Sequence, residues 1–319
     1  MISLICCGAI NWDINLFVRK IPKIGEEVEV LKITKVPGGT GANVSVAASR
    51  ILGFKSVALI GALGNDEIGK KQIEILKNEG IETSGIKIVN SVESGQAYIL
   101  IDENGNNVIN TFLGANKYLL PEDFNRDEIK TLLKEAKVVV VMDPPLITAE
   151  HIVNEARKAG KIVIWDPGLY VEMGLEVLSP ILKNADYFII NMIELEKLIG
   201  ISNPRIAKEK IQTNLIIKQG SKGSTLVKDH KIISINAVPL EILNLKVVNT
   251  TGCGDVFIGA FASFKVLNLD DEEALKRANC AAAIKATRYE TRGGPTIDQF
   301  EDFYKRVENY LKVHYERCD

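Results

Sequence analysis

No uninterrupted apolar run in the 319-residue sequence reaches the roughly 18 residues that cross a bilayer as a helix. The N-terminal residues lack a basic region, and an acidic residue, Asp13, follows soon after them. We therefore expect neither a secretory signal nor a membrane association. The first residues are instead predicted to form a buried strand.

An excess of charge of either sign is lacking too. The 39 lysines and arginines nearly balance the 41 aspartates and glutamates, which gives a formal net charge of −2. Such a balance provides no basic field for nucleic acid and no polybasic patch for a membrane surface. We therefore expect the partners to be small molecules.

Cysteines are few, and they have no metal-binding or redox spacing. The five cysteines are scattered with no Cys-x-x-Cys pair, and adjacent Cys6 and Cys7 would point to opposite faces of a strand. This pattern fits reduced cysteines that pack as small apolar side chains, which predicts a cytoplasmic protein.

The sequence does contain a regular alternation of short apolar runs and amphipathic segments. Runs such as LICCGAI, SVALIGAL and VVVVM are typical of strands that are buried on both faces of a parallel sheet. Helical patterns that often end in glycine separate these runs. The order predicts an α/β fold, doubly wound, with a mostly parallel central sheet and helices on both faces, in a single domain over residues 1–319.

Two segments break this alternation. Residues 14–36 and 96–112 alternate apolar and polar side chains, and the second contains a turn at 103–107. They are predicted to form antiparallel strands of a small accessory sheet, a lid over the carboxyl ends of the main strands, where ligands of such folds bind. The alternative is a plain extension of the main sheet.

The segment NTTGCGDVFIGA, residues 249–260, carries the strongest chemical signal. Gly252, Cys253 and Gly254 are predicted to form a tight turn at a helix N-terminus, where unpaired N–H groups and the helix dipole attract anions. Asp255 would lie beside a phosphate, where a carboxylate is useful if it removes the proton of an attacking hydroxyl. The alternative is an ordinary acidic residue in the first turn of a helix.

A second glycine-rich segment and the end of the first strand indicate a sugar site. PGGTGANVSVAAS, residues 37–49, lacks P-loop and dinucleotide-binding spacing, so its glycines serve either close ligand approach or packing. Asn43 is predicted to start a helix there. Asn11 and Asp13, at the end of the first strand, would share one face and suit vicinal hydroxyls.

Two further elements follow predicted strands. In NMIE, Asn191 and Glu194 form either a capping box or a pair in which Glu194 orients water around Mg²⁺ and Asn191 contacts phosphate oxygens. In KQGSKG, which starts at Lys218, a sharp turn either approaches a nucleotide or is a plain hairpin.

In this order, PGGTGAN and NTTGCGDVFIGA resemble the two signatures of the ribokinase, or PfkB, family of carbohydrate kinases. GAINWDIN, NMIE, GSKG and RYETRGGPT, residues 288–296, resemble further family segments over nearly the whole chain. The resemblance implies ATP and Mg²⁺ as cofactors, a β-sheet lid, and an anion hole at Gly252, Cys253 and Gly254. It also implies that Asp255 is the catalytic base.

Ligand contacts are implied at the positions that match the family pattern. Those for the sugar are Asn11, Asp13, Gly39, Thr40, Asn43 and Asp143. Those for the nucleotide are Asn191, Lys218, Gly220, Ser221, Gly223 and Asn279. Glu194 is implied to act on Mg²⁺ through water.

Three positions depart from the family pattern. Asn249 stands where many relatives have an aspartate that helps to hold a monovalent cation, so K⁺ as a further cofactor is left open. Thr40 replaces the lysine of ribokinases, and WDPGLY, residues 165–170, is closer to some archaeal nucleoside kinases. The identity of the acceptor is therefore open within the family.

The prediction is ATP-dependent phosphotransfer to a hydroxyl of a ribose-like sugar, with Asp255 as general base. The first alternative is a nucleoside kinase, and further alternatives are a phosphosugar kinase and a non-catalytic sugar sensor. The aromatic residues that could line a slot for a nucleoside base are Phe17, Tyr98, Phe112 and Tyr118.

A homodimer through the lid, as in ribokinases, is also expected. An exposed apolar sheet of this kind usually finds a partner. The apolar lid positions expected to be exposed are Leu16, Val28, Val30, Ile99 and Ile101.

Overall fold

The computed structural model describes residues 1–317, so Cys318 lies outside the described residues. In chain order the strands are β1 (Leu4–Gly8), β2 (Asn11–Val18), β3 (Val30–Gly38), β4 (Val57–Gly64), β5 (Ile86–Val89), β6 (Gly95–Ile101), β7 (Asn107–Phe112), β8 (Val138–Met142), β9 (Ile162–Asp166), β10 (Tyr187–Asn191), β11 (Asn214–Lys218), β12 (Ser224–Lys228), β13 (Lys231–Ile235) and β14 (Val313–Arg317). The α-helices are α1 (Thr40–Leu52), α2 (Glu67–Asn78), α3 (Asp127–Glu135), α4 (Leu146–Lys158), α5 (Leu175–Leu182), α6 (Met192–Ile199), α7 (Pro204–Lys210), α8 (Cys253–Val266), α9 (Asp271–Ala286) and α10 (Ile297–Val307).

The larger of two sheets confirms the predicted α/β architecture. Its order is β14-β13-β12-β11-β10-β9-β8-β1-β4-β5, and its strands from β11 to β5 pair in parallel. Strands β12, β13 and β14 extend one edge in antiparallel pairing. The chain winds outward in both directions from the neighbouring strands β1 and β8, which places the topological switch point of the sheet there.

Helices cover both faces of this sheet. One face packs against α1, α2, α8, α9 and α10, and the other packs against α3 to α7. All five residues of β1 are buried between these layers, with Cys6 in one core and Cys7 in the other. The predicted buried first strand and the opposite orientation of the two cysteines are therefore confirmed.

The smaller sheet confirms that the two exceptional segments form a separate unit. Its order is β3-β2-β6-β7, and each strand lies in or next to the predicted segments. The expectation of purely antiparallel pairing is wrong, because β2 pairs with β6 in parallel. Since more than 70 residues of the chain separate β2 from β6, the two strands need not be joined by a hairpin.

The predicted position of Asn11 and Asp13 is also wrong. The first strand ends at Gly8, and both residues belong to β2 of the small sheet, where they still share one face. The chain thus crosses from the main sheet to the small sheet within two residues, which places the small sheet next to the carboxyl end of β1.

Helix α1 begins at Thr40, three residues before the predicted start at Asn43. The residue before it, Gly39, has φ 93°, and a Cβ there would overlap the backbone of Asn11 and Ala9. Glycine is required here both for the backbone conformation and for the close approach of the turn to β2. Within residues 1–317, no helix combines the length and apolar character needed to cross a membrane.

Candidate active site

Polar side chains gather at the carboxyl edge of the main sheet. Asp143 directly follows β8, and the last residues of β9, β10 and β11 are Asp166, Asn191 and Lys218. The strand register places Met142 beside Asp166 and Asn191 beside Lys218. Since parallel strands end at the same edge, four strands bring their polar residues to one side of the sheet.

The NTTGCGD segment forms the tight turn and helix start that its glycines predict. Gly252 has φ 82°, and a Cβ there would overlap the carbonyl of Thr291. The Val256 N–H donates to the Gly252 carbonyl over 3.0 Å, which closes the first turn of α8. Of the predicted anion-hole donors, the N–H of Cys253 already donates to the Thr250 carbonyl over 3.1 Å.

Small residues bring α8 against α1 and so position Asp255. A Cβ on Gly259 would lie 2.8 Å from the Cβ of Ala47, so the two helices are in close contact at this level. One helical turn nearer the N-terminus of each helix, Asn43 Nδ2 donates to Asp255 Oδ2 over 2.8 Å. Tight helix packing therefore sets the contact between the two predicted site residues.

Asp255 has the electrostatic setting of a proton acceptor. Burial raises the pKa of its carboxyl, and the neighbouring Asp166 raises it further. The hydrogen bond from Asn43 and the charges of Lys218 and Arg292 lower the pKa in part. The carboxylate is thus more basic than an exposed aspartate while cationic neighbours favour its charged form.

Arg292 is a site residue that the sequence did not reveal individually. Its side chain is 7% exposed, and its Nε donates to Asn43 Oδ1 over 3.0 Å. Its Nη2 donates to the Gly38 carbonyl over 2.9 Å and to Gln72 Oε1 over 3.3 Å. Arg292 therefore fixes the orientation of the Asn43 amide, so that its Nδ2 faces Asp255. The sequence signal for it is its position within the RYETRGGPT segment.

Asp13 lies on the small-sheet side of the site. Burial raises the pKa of its carboxyl to about 6, although the charge of Arg292 lowers it. A Cβ on Gly38 would overlap the Asp13 carboxylate, so this glycine makes room for it. Asn11 precedes it on the same face, and its Oδ1 accepts from Asn116 Nδ2 over 2.9 Å. The structure thus brings both predicted hydroxyl-binding residues to the edge near β1.

Asp143 joins the same group through Thr40. Thr40 Oγ1 donates to Asp143 Oδ2 over 3.0 Å, and the Leu169 N–H donates to Oδ1 over 3.2 Å. Asp143 has φ 56°, and a Cβ on Gly168 would overlap its carboxylate. Burial and the charge of Asp166 raise the pKa of the Asp143 carboxyl to about 7. Thr40, which stands where ribokinases have a lysine, is thus connected by a hydrogen bond to Asp143 on the predicted sugar side.

Lys218 lies next to the helix turn that carries Asp255. Its Nζ forms an ion pair with Asp166 Oδ2 over 2.6 Å, and a Cβ on Gly254 would lie 3.6 Å from that Nζ. Burial lowers the pKa of Lys218, but the charges of Asp166 and Glu194 raise it above its ordinary value. The ammonium is therefore charged and next to the N-terminus of α8. Asp166 was not predicted; its signal was an aspartate directly after an apolar strand.

Asn191 and Glu194 form the capping box that the sequence allowed. The Asn191 N–H donates to Glu194 Oε2 over 2.7 Å, and the Glu194 N–H donates to Asn191 Oδ1 over 2.9 Å. Burial and the charge of Asp166 raise the pKa of the Glu194 carboxyl, while Lys218 lowers it. The cap holds Glu194 near the Lys218–Asp166 pair, so a structural and a functional role are compatible.

The KQGSKG segment is the hairpin between β11 and β12. Gly220 and Ser221 lie in its short 3₁₀ turn, and a Cβ on Gly223 would overlap the carbonyl of Ile235. Asn279 is buried in α9, where its Nδ2 approaches the same Ile235 carbonyl at 3.4 Å. The hairpin and Asn279 are thus brought together at β13, as their common assignment to the nucleotide requires.

Asn249 has both side-chain groups in hydrogen bonds. Its Nδ2 donates to the Tyr289 carbonyl over 2.8 Å, and its Oδ1 accepts from the Thr251 N–H over 2.9 Å. It therefore links the segment entering α8 to the loop after α9.

Oxygen ligands for Mg²⁺ are present without forming a closed cage. Among residues 1–317, no three acidic, histidine or cysteine side chains are grouped to hold a metal ion. Both carboxylate oxygens of Asp166 are used, by the Gly168 N–H and by Lys218. Glu194 fits a hard cation that is bound largely through phosphate oxygens and water.

A parallel sheet with a small sheet beside its carboxyl edge, and a partly buried aspartate at a glycine-rich helix start, define a kinase of the ribokinase fold. Residues 1–297 match the model of the pfkB family carbohydrate kinases. The chain is 30% identical over 301 residues to a deoxyribokinase of Salmonella typhi, covering 91% of this chain and 95% of that protein. It is 27% identical over 303 residues to an ATP-dependent ribose-1-phosphate kinase of Halopiger xanaduensis, with 95% and 98% covered.

The chain is also similar to a solved structure of a ribokinase. The structure of Arabidopsis thaliana ribokinase complexed with ribose and ATP has a TM-score of 0.85 and 27% identity, and the match covers 96% of this chain and 99% of that one. The chain belongs to the PfkB family of carbohydrate kinases, and it is an enzyme of the sugar and nucleoside kinase class.

Proposed function

We propose that the protein transfers the γ-phosphoryl group of ATP to a hydroxyl of a ribose-like sugar, with Asp255 as the general base. The observation that carries this proposal is the position of Asp255. It follows the glycine turn at the start of α8, and Asn43 holds its carboxylate at 2.8 Å. A raised pKa makes this carboxylate a better proton acceptor for an attacking hydroxyl.

The acceptor would bind between the small sheet and the start of α1. Asp13 and Asn11 on β2 and Thr40 at the start of α1 offer acceptors and donors for several hydroxyls, with Asp143 one hydrogen bond behind Thr40. Gly39 lets the start of α1 pack directly against the backbone at the start of β2, and so brings Thr40 close to Asn11. These groups orient the acceptor hydroxyl towards Asp255.

The phosphates would bind at the N-terminus of α8. The backbone N–H groups of Gly252 and Gly254 and the helix dipole would stabilise negative charge there, since the Cys253 N–H already donates to the Thr250 carbonyl. The Lys218 ammonium lies next to Gly254. Glu194 would hold Mg²⁺ through water, and the ion would supply neutralisation of the charge on the phosphate oxygens. Asn191, the Lys218–Gly223 hairpin and Asn279 then surround the nucleotide.

The aromatic residues proposed for a nucleoside base do not form one slot. Phe17 shares a face of β2 with Asp13, whereas the strand register places Tyr98 and Phe112 on the opposite face. A ribose-like sugar is therefore preferred to a nucleoside. Membership of a kinase family also removes the support for a non-catalytic sugar sensor.

The small sheet supports a homodimer through the lid. Val30 of the expected apolar positions is 41% exposed. Ile33 on the same edge strand, β3, is 56% exposed, and Ile109 on β7 at the opposite edge is 55% exposed. The expectation for Ile99 is wrong, because it is only 7% exposed and packs inward. Light scattering at micromolar concentration is expected to show a dimer, and a monomer would contradict this assembly.

An acceptor screen tests the proposed function. Purified protein, ATP and Mg²⁺ are mixed with ribose, 2-deoxyribose, ribose 1-phosphate, hexoses, keto-deoxy acids or nucleosides, and ADP release is measured against the Asp255→Asn variant. We expect the highest kcat/KM with ribose or 2-deoxyribose. A preference for nucleosides or for the phosphosugar would replace the acceptor in the proposal, and no ADP release with any acceptor would overturn it.

A further inference from the structure

A lysine ammonium is buried beside the turn that starts α8. Lys285, near the end of α9, has a fully buried side chain. Its Nζ donates to the Asn249 carbonyl over 2.9 Å and to the Arg288 carbonyl over 3.3 Å. Among the described ion pairs of residues 1–317, no carboxylate is paired with it. Its direct partners are therefore main-chain carbonyls, while the charges of Glu290 and Asp255 act on it without an ion pair.

Two chain segments enclose this ammonium. The first is the entry to α8, where the Val248 N–H donates to the Ala286 carbonyl over 2.7 Å. The second is the loop after α9, where a Cβ on Gly293 would lie 2.8 Å from Lys285 Cδ. The loop thus closes directly on the lysine stem, and glycine at position 293 is required for that contact.

The same two segments are tied together on either side of the lysine. Asn249 Nδ2 donates to the Tyr289 carbonyl over 2.8 Å, and Gly252 packs on the carbonyl of Thr291. The Lys285 ammonium thus lies where the glycine turn meets the loop and donates to one carbonyl of each segment, Asn249 and Arg288. A lysine ammonium has three donors and no acceptor, so it suits this position between two carbonyl oxygens.

The fit of a free monovalent cation is poor for this reason. The family resemblance places such a cation near Asn249, but here the Asn249 carbonyl already accepts from Lys285. The side chain of Asn249 carries no charge and is used by Tyr289 and Thr251. An added K⁺ would meet an ammonium of the same charge at the carbonyl that should bind it.

We propose that the Lys285 ammonium replaces the monovalent cation, holding the 249–254 turn against the 286–293 loop and placing a fixed positive charge behind the anion-binding end of α8. This inference rests on the proposed phosphotransfer for its effect on rate. Lys285 acts through the turn, so it is a positioning residue. The enzyme consequently needs no K⁺.

The first test compares salts with the unmodified protein. ADP release is measured in KCl, NaCl and choline chloride at equal ionic strength, at saturating Mg²⁺. We expect kcat and the KM for ATP to agree within about twofold among the three salts. Stimulation by K⁺ well beyond this range would overturn the proposal, whatever the variants do.

The second test uses Lys285→Ala, which removes the ammonium and leaves space, and Lys285→Met, which removes the charge and fills the space. We expect both variants to lose about tenfold or more in kcat/KM, since the turn at the phosphate site is no longer held. K⁺ or ethylammonium should restore part of the rate in Lys285→Ala but not in Lys285→Met. Equal rates in all salts for Lys285→Ala would contradict the cation role.

A matched control and a readout without catalysis complete the design. Lys265→Met removes another lysine, 11% exposed, whose Nζ donates to the Leu269 carbonyl and to Asp271 away from the turn, and the rate of this variant should not respond to K⁺. Thermal unfolding without substrates should show that KCl, but not choline chloride, stabilises Lys285→Ala, while the unmodified protein shows no difference. The absence of this shift in folded Lys285→Ala would overturn the inference even if the proposed acceptor is wrong.

Discussion

Asn43 Nδ2 lies 2.8 Å from Asp255 Oδ2, and this contact joins the two glycine-rich segments of the chain at one point. The other end of the same amide accepts from Arg292 Nε over 3.0 Å. An arginine, an amide and a carboxylate thus form a continuous hydrogen-bonded row beneath the proposed phosphate site. Because each group fixes the next, the direction of the Asp255 carboxylate depends on a residue in a distant loop.

Replacing Asp255 by asparagine keeps the shape of the side chain and removes its basicity. We expect kcat to fall by about a hundredfold or more, in the range of general-base effects. Binding of ATP and of the sugar, measured by calorimetry, should change little. A variant that keeps more than about a tenth of the rate would show that Asp255 is not the base.

Removing Arg292 should alter the pH profile. Its charge lowers the pKa of the Asp255 carboxyl, so Arg292→Met should raise that pKa and move the acid limb of kcat/KM to higher pH. The base must be deprotonated, so the loss of activity should be larger at pH 6 than at pH 8. The matched control is Arg50→Met, because Arg50 donates to carbonyls of the same loop. Identical profiles for both variants would contradict a specific role of Arg292.

Asp143 should make the protein less stable as the pH rises. The pKa of its carboxyl in the folded state is about 7, above the ordinary value of 3.8, so the folded state binds more protons between these values. Stability from this group is present at low pH and is lost as the pH rises towards 7. Asp143→Asn should therefore raise the melting temperature relative to the unmodified protein more at pH 8 than at pH 5.

Asp66 provides a control of opposite sign for that measurement. Burial raises the pKa of its carboxyl, but hydrogen bonds from Ser94 and Gly69 lower it below the ordinary value. Stability from Asp66 is present at neutral pH and is lost as the pH falls through its folded-state pKa. Asp66→Asn should consequently lower the melting temperature more at pH 7 than near pH 3. If both variants changed with pH in the same direction, the assignment of Asp143 would be wrong.

Lys218 should be important for stability as well as for nucleotide binding. Lys218→Met leaves Asp166 without its ion pair at the sheet edge, and breaking a buried pair from one side costs about 3 kcal/mol. The free energy of unfolding from urea titrations should fall by this order, and the KM for ATP should rise. Lys197→Met, which breaks an exposed pair with Glu172, is the control and should change stability little. Similar losses of unfolding free energy in both variants would contradict a larger contribution from the buried Lys218–Asp166 pair.

Local patterns were sufficient to predict the fold and the local structure of three site segments. Continuous apolar runs and glycine-terminated helical segments predict a parallel sheet, since each pattern reflects burial of a single element. The turn at Gly252, the capping box at Asn191 and the hairpin after Lys218 also depend on residues only a few positions apart. For these features the sequence contains the whole physical cause.

Contacts between distant segments could not be read in this way. Arg292 meets Asn43 across 249 positions, and Lys285 meets the Asn249 carbonyl across 36. Neither lysine nor arginine has a spacing rule that distinguishes a solvated side chain from one buried against carbonyls. The parallel pairing of β2 with β6 is likewise set by where the main fold places the two segments.

The amino-acid sequence alone thus determined the elements and marked Asp255 as a candidate for the general base, because turns, caps and strand periodicity are local. Only the tertiary structure decided which charges surround Asp255 and what fills the carbonyl pocket beside its helix. Both depend on desolvation, and a residue is desolvated by the whole fold rather than by its neighbours in the chain.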